Sequence, residues 1–237
     1  MSAPIEALRA VDTPTVCDIV EELMPARRGM GYTTRPLVPF NPSALPMIGY
    51  ARTLRIRGKA PGRWRGDAYL EIGDRYVDYL AEGPMPGIVV AQDMDGTDAG
   101  HGAFWGSVQT AIHRALGIAG AVTDGSLRDH EELAEGFPVL ASSVGPSHAF
   151  VHIEAFGTEV AVAGMAVRSG DLVHADCHGA VVVPPELVEA IPPRAAAIKA
   201  REAEILDLCA APNFTVETLK AAMRASGETV QSPESAD

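Results

Sequence analysis

The chain has 237 residues, 47% of them hydrophobic, so it can bury a sizeable core, and an aromatic share of 5% makes that core aliphatic. A net charge of −12 with no Lys/Arg run excludes nucleic acid as an expected partner, because neutralising phosphates takes clustered cations. The three cysteines, Cys17, Cys177 and Cys209, are far apart and form no C-x-x-C pair, which argues against a zinc knuckle and a disulfide framework.

Thr13-Pro14 has the form of a helix start, an N-cap followed by proline, and Val16, Ile19, Val20 and Leu23 then repeat on one helical face up to Pro25. Cys17 falls on this pattern and is expected in the core. Residues 25–47, rich in Pro, Arg and Gly, read as loop with short extended pieces. Residues 53–57 alternate as a strand with Leu54 and Ile56 on one face. Tyr69, Ile72, Tyr76, Tyr79 and Leu80 predict a helix broken at Gly73. Residues 87–91 predict a buried strand, followed by a loop over 93–98. Trp105, Val108, Ile112, Ala115 and Leu116 predict a helix ending at Gly117. A strand at 121–123, a short helix over 130–135 and a strand at 138–141 follow. Strands at 159–162, 165–168, 172–175 and 181–183 are linked by Gly-rich turns. Pro193 opens a long helix, residues 215–225 form a last short one, and the tail from Gly227 is polar.

Helices alternate with strands in the middle of the chain, and strands crowd together towards residue 183. This predicts an α/β fold, a layered sandwich with a mixed sheet. The chain has no G-x-G-x-x-G and no G-x-x-x-x-G-K-[ST], so nucleotide sites lack their usual markers. No apolar run reaches membrane-spanning length and the N-terminus lacks a basic-then-apolar leader, so the expectation is a soluble cytoplasmic protein with no membrane partner.

Chemistry concentrates beyond the strand at 121–123. Asp124-Gly125 ends it in a turn, and Arg128 and Asp129 stand at the tip, where α/β proteins place functional residues. Arginine offers a planar fork for a carboxylate, and aspartate a hard oxygen for a divalent cation. The pair suits an anionic keto acid held on Mg²⁺ or Mn²⁺. Asp129 and Glu132 also have capping-box spacing, so Asp129 reads equally as a helix start and Arg128 as half of a surface ion pair. Upstream, Gly106 precedes a predicted helix and Ser107 is a residue type that caps helices. Free N–H groups there would bind an anion, or Gly106 simply turns the chain.

Taken together, Ala103-Phe-Trp-Gly106, the run Arg114-Ala-Leu-Gly117-Ile-Ala-Gly120, the tip Asp124-Gly-Ser-Leu-Arg128-Asp129 and Gly136-Phe-Pro-Val139 resemble the RraA-like family. This family includes the class II 4-hydroxy-4-methyl-2-oxoglutarate / 4-carboxy-4-hydroxy-2-oxoadipate aldolases. Thr13-Pro-Thr-Val-Cys-Asp18, Pro86-Gly-Ile-Val-Val90, Ser169-Gly-Asp-Leu-Val173 and His178-Gly-Ala-Val-Val-Val-Pro184 extend the resemblance, whereas residues 58–83 match poorly.

The resemblance implies an α-β-β-α sandwich over residues 1–226 with a polar tail at 227–237, assembled as homotrimers or homohexamers with sites between subunits. It implies that Asp129 binds Mg²⁺ or Mn²⁺, that Arg128 binds a keto-acid substrate and its enolate, and that Asp124 orients Arg128 or a metal-bound water. The backbone amides of Gly106, Ser107, Val108 and Gln109 would hold the carboxylate. The implied reaction is cleavage of a 4-hydroxy-2-oxo diacid to pyruvate, with oxaloacetate decarboxylation as a side activity. Many aldolase-type members carry Glu or Asp where this chain has Ser107, and serine is no base at neutral pH without a partner. His101, His130 and His178 are the histidines nearest the site segments, while Glu131 reads as a solvated helix charge. Two alternatives stand beside the aldolase: a non-catalytic protein-binding regulator of ribonuclease-inhibitor type, and a related metal-enolate enzyme acting on another keto acid.

Overall fold

The computed structural model describes residues 3–226, so the tail expected at 227–237 lies outside the described residues. The described residues fall into two compact units that divide between Pro192 and Pro193. In the first unit, helices α1 (Ala3–Ala7) and α2 (Thr13–Leu23) lead into strands β1 (Val38–Phe40) and β2 (Met47–Arg57) and helix α3 (Asp67–Ala81). Strands β3 (Gly87–Asp93) and β4 (Ala103–Trp105), helix α4 (Ser107–Ala115), and strands β5 (Ile118–Thr123), β6 (Ser126–Leu127), β7 (Val139–Ala141) and β8 (Ser143–Val144) follow. The unit closes with β9 (His152–Phe156), β10 (Val160–Val162), β11 (Met165–Val167), β12 (Leu172–Asp176) and β13 (Gly179–Val183).

Helix α2 is capped one residue earlier than expected. Asp12 accepts the Thr15 N–H at 2.9 Å, and Pro14 falls in the first turn, where no amide donor is needed. Cys17 is half-buried rather than fully in the core, and burial pushes its thiol up to about 12. Strand β2 is eleven residues long, not five. It is covered on both faces, so its first half shows no polar alternation to read. Helix α3 runs through Gly73 without a break, because one glycine costs a helix only about 1 kcal/mol. The helix expected from Trp105 starts at Ser107, and Trp105 lies in a strand, fully buried. The short helix expected over 130–135 is absent, and that segment is turn and coil.

The fold is mixed α/β. Its main sheet has the order β1-β7-β5-β3-β2-β12-β13, with β9 also pairing β2. Strands β2, β3, β5 and β7 are parallel, and β1, β9, β12 and β13 join antiparallel. Both faces are buried, which explains the near-continuous apolar runs of the central strands. Ile88, Val90, Val122 and Leu140 face a core shared with the β10–β11 hairpin (Val160, Val162, Met165, Val167). The alternate residues Val89, Ala91, Ala121 and Val139 face a second core with Tyr76, Leu80, Trp105, Leu127 and Phe137.

A small parallel sheet, β4-β6-β8, positions the site. Each of its strands follows a parallel strand of the main sheet: β4 comes after β3, β6 after β5 and β8 after β7. The residues just beyond β4 and β6 are therefore carried past the carboxyl edge of the main sheet.

Helix α5 (Ile191–Ala210), all but its first two residues in the second unit, begins two residues before the expected Pro193, with both prolines in its first turn. Helix α6 (Val216–Ser226) is capped by Thr215, whose Oγ1 accepts the Thr218 N–H at 3.1 Å. No helix of the described residues is long and apolar enough to cross a membrane.

Candidate functional site

Parallel pairing of β4 with β6 puts Trp105 opposite Leu127, and the Arg128 N–H donates to the Trp105 carbonyl at 2.9 Å. The two segments singled out in the sequence, 106–109 and 128–129, thus leave adjacent strands side by side. Both start at the carboxyl end of a parallel strand, where open α/β sheets place their ligands.

Asp129 has φ +52, a left-handed conformation rare outside glycine, Asn and Asp. Its carbonyl accepts the Glu132 N–H at 2.9 Å, closing a turn, and no capping box forms. The carboxylate is free to meet Arg128 instead, whose Nε donates to Oδ1 and Oδ2 at 3.2 and 3.1 Å. Neither Nη of Arg128 has a hydrogen-bond partner among the described residues, so the outer edge of its fork is open. Both side chains are about one-third exposed, in reach of a ligand.

Gly106, not Ser107, is the N-cap of α4. It is extended, at φ −177 and ψ −169, and supplies no side-chain cap. The first amides of a helix have no intrahelical acceptor, so those of Ser107, Val108 and Gln109 lie at an uncapped, electropositive end. A Cβ at position 106 would stand 3.0 Å from Asp129 Oδ2 and 3.4 Å from Arg128 Cγ. The glycine is what lets the helix start press against the acidic tip. A single partly exposed carboxylate beside free N–H groups and an open guanidinium fits a hard, largely hydrated Mg²⁺ or Mn²⁺ sharing an anionic ligand.

Thr110 was not singled out in the sequence, yet it locks this arrangement. Fully buried, it donates through Oγ1 to the Gly106 carbonyl at 2.9 Å and accepts the Ala134 N–H at 3.0 Å. Only the fold brings residue 134 beside residue 110. Thr110→Val is expected to leave that N–H unpaired and to cost about 1–2 kcal/mol in urea unfolding. An unchanged midpoint would refute the role.

Asp124 is placed elsewhere. Its Oδ1 accepts the Asp93 N–H at 2.8 Å and its Oδ2 lies 3.8 Å from Arg35 Nη2. Arg128 is not among its partners, so any influence on the tip is indirect, through the ends of β3 and β5. Burial raises the carboxyls of both Asp93 and Asp124 above the usual range. They line a cavity of about 780 Å³ with Arg35, Gln92 and Ser142. Of the flagged histidines, His101 and His130 are exposed, and the His130 ring packs 5.9 Å from Phe40. His178 bonds Asp176 at 3.1 Å, far along the chain at the β12–β13 turn. There Asp176, Cys177 and His178 bring three possible ligand atoms within 4.8 Å, but Asp176 is already engaged by the Thr13 and His178 amides at 2.8 Å each, as a turn brace.

The model of the family described as "RraA-like: Aldolase/RraA" matches residues 13–182. An uncharacterised protein of Methanocaldococcus jannaschii is 32% identical over 105 residues, 44% of this chain, and the chain spans about half (50%) of that relative's length. An uncharacterised protein from Pseudomonas syringae pv. tomato has a similar structure, with TM-score 0.69, 21% identity, and 94% of this chain and 93% of that one covered. Streptomyces coelicolor RraAS2, described as an unusual member of the RNase ES inhibitor RraA protein family, has TM-score 0.63 and 25% identity, with 87% and 96% covered.

Proposed function

Since the chain belongs to the RraA-like family, we propose that it is a divalent-metal-dependent carbon–carbon lyase that cleaves a 4-hydroxy-2-oxo diacid to pyruvate, with oxaloacetate decarboxylation as a side activity. The observation that carries this reading is one juxtaposition. The Asp129 carboxylate, the open edge of Arg128 and the uncapped start of α4 converge where a Cβ at Gly106 would intrude. Retention of the Arg128–Asp129 pair beside this helix start favours an enzyme over a regulator acting through surface contact.

Mg²⁺ or Mn²⁺ at Asp129 would supply Lewis-acid polarisation of the 2-oxo group. The amides of Gly106, Ser107, Val108 and Gln109 hold the substrate carboxylate at the helix start. As the C4 hydroxyl proton passes to solvent water, its O–H pair becomes the C4 carbonyl of the departing fragment, the C3–C4 pair moves into C2–C3, and the 2-oxygen becomes an enolate oxygen. Arg128 faces that developing charge and stabilises it. Protonation at C3 completes pyruvate. In oxaloacetate the departing CO₂ leaves its electron pair in the same enolate. Asp124 acts as a positioning residue, fixing the ends of β3 and β5 beneath the tip. The reading carries with it a homotrimer or homohexamer with sites shared between subunits.

The test is pyruvate release from 4-hydroxy-4-methyl-2-oxoglutarate and from oxaloacetate, coupled to lactate dehydrogenase. Wild type is expected to turn over with Mg²⁺ and to stop with EDTA, and Asp129→Asn to fall to background. Full activity in Asp129→Asn would remove the metal assignment, and activity on oxaloacetate alone would shift the reading to another keto acid. The similarity to RraAS2 favours a second reading, a protein-binding regulator. It predicts no pyruvate release, and equal inhibition of a ribonuclease E-type enzyme by wild type and Asp129→Asn.

A further inference from the structure

The geometry points to a second ligand site, beside the Arg128 cradle and sharing Gln109 with it: a pocket between α3, α4 and residues 148–153 for an uncharged aromatic molecule of one or two rings carrying an N–H or O–H donor. A cavity of about 480 Å³ lies there, in the size range of small-molecule sites. Its walls include Tyr76, Leu80, Phe104 and His113, all buried. Tyr69 and Leu70 stand exposed beside them.

Gly73 is the telling residue. It lies inside α3, where glycine is among the poorest helix formers, and it is not one of the chain's positive-φ glycines. No heavy atom would come within 4 Å of a Cβ there, so no neighbouring side chain or strand requires the glycine. It opens onto the cavity, and a glycine there enlarges the space available to an occupant.

The polar groups narrow the occupant's chemistry. No Lys or Arg lines the cavity and Asp74 is its single acid, so an anion finds no counter-charge, unlike at Arg128. The Tyr76 hydroxyl and His113 Nε2 satisfy each other at 3.0 Å, and His113 Nδ1 donates to the Gln109 carbonyl at 2.7 Å. His148 donates through Nδ1 to the Ala103 carbonyl at 2.9 Å, so Nε2 is the ring nitrogen left for a ligand. A flat ring carrying a donor matches largely apolar walls in which His148 Nε2 and the Asp74 carboxylate can accept.

Calorimetric titration with 2-naphthol, 2-methoxynaphthalene and 2-naphthalenesulfonate tests the site. Saturable binding of 2-naphthol, one per chain, is expected, weakened about fivefold or more in the methoxy analogue and abolished in the sulfonate. Gly73→Leu, which fills the cavity, is expected to weaken 2-naphthol binding by about tenfold or more. Gly73→Ala keeps the helix and is expected to raise Tm by about 2–4 °C. Equal binding of the three probes, or undiminished 2-naphthol binding in a folded Gly73→Leu, overturns the proposal. So does light scattering that shows wild type, but not Gly73→Leu, self-associating, since a second copy would then be the occupant.

Discussion

Arg128→Ala is expected to lower kcat/KM for pyruvate release by about 10²–10³-fold, the usual cost of removing one donor to a developing oxyanion. The size follows from how the side chain is held. Nε is engaged by both Asp129 oxygens, so the guanidinium is set in place before substrate arrives and spends no rotamer freedom on binding. Both Nη groups remain for the ligand. Arg128→Lys keeps the charge but loses the fork, and is expected to recover little of the rate. Mg²⁺ affinity separates this role from a structural one. Removing the guanidinium frees the Asp129 carboxylate, so the ion should bind Arg128→Ala at least as tightly as wild type. Oxaloacetate rates need a metal-only blank, because free divalent ions decarboxylate it unaided. A kcat/KM within about threefold of wild type would exclude Arg128 from the chemistry.

The second large effect concerns stability. His113 is buried among aromatic rings, with Trp105 at 4.8 Å and Tyr76 at 5.7 Å between centroids. Burial lowers it to about 4, only partly opposed by the Gln109 carbonyl that its Nδ1–H meets. In the unfolded chain the ring titrates near its ordinary value of 6.5. Between those values the unfolded state binds a proton that the native state refuses, so stability is lost as pH falls from about 6.5 to about 4. The loss is on the order of 3 kcal/mol. His174, also lowered by burial, adds in the same direction, while the raised carboxyls of Asp93 and Asp124 oppose it.

A control must therefore remove the His113 titration without stranding its partner. The double variant His113→Leu/Tyr76→Phe replaces both hydrogen-bond partners with apolar groups and strands neither. Urea unfolding at several pH values should show wild type falling more steeply than the variant across that window. Parallel curves would falsify the buried-neutral assignment.

The sequence by itself determined the patterns that depend on near neighbours. The 3.6-residue stripe of Val16, Ile19 and Val20, the β-rich runs at 87–91 and 181–183, and the turn glycines all name their elements without a partner. The tip at Arg128-Asp129 and the glycine before a helix were legible for the same reason, since charge after an apolar strand is a local signal.

What lay outside local reach was decided by tertiary structure. Strand β2 is covered on both faces, so no alternation marks residues 47–52. Trp105 fits a helical stripe, yet pairing with Leu127 makes it a strand, because a buried ladder outweighs a weak propensity. Asp129 has the spacing of a helix cap, but the turn to Glu132 sends its carboxylate to Arg128. Asp124 is five residues from Asp129 in sequence and points to Asp93, because the step from β5 into a second sheet separates the two. The close approach of Asp129 to the position a Cβ on Gly106 would take, across 23 residues of chain, exists only because two short parallel strands end side by side. A carboxylate's chemistry depends on what the fold places within a few ångströms of it, and pairing between distant strands is information that no local window holds.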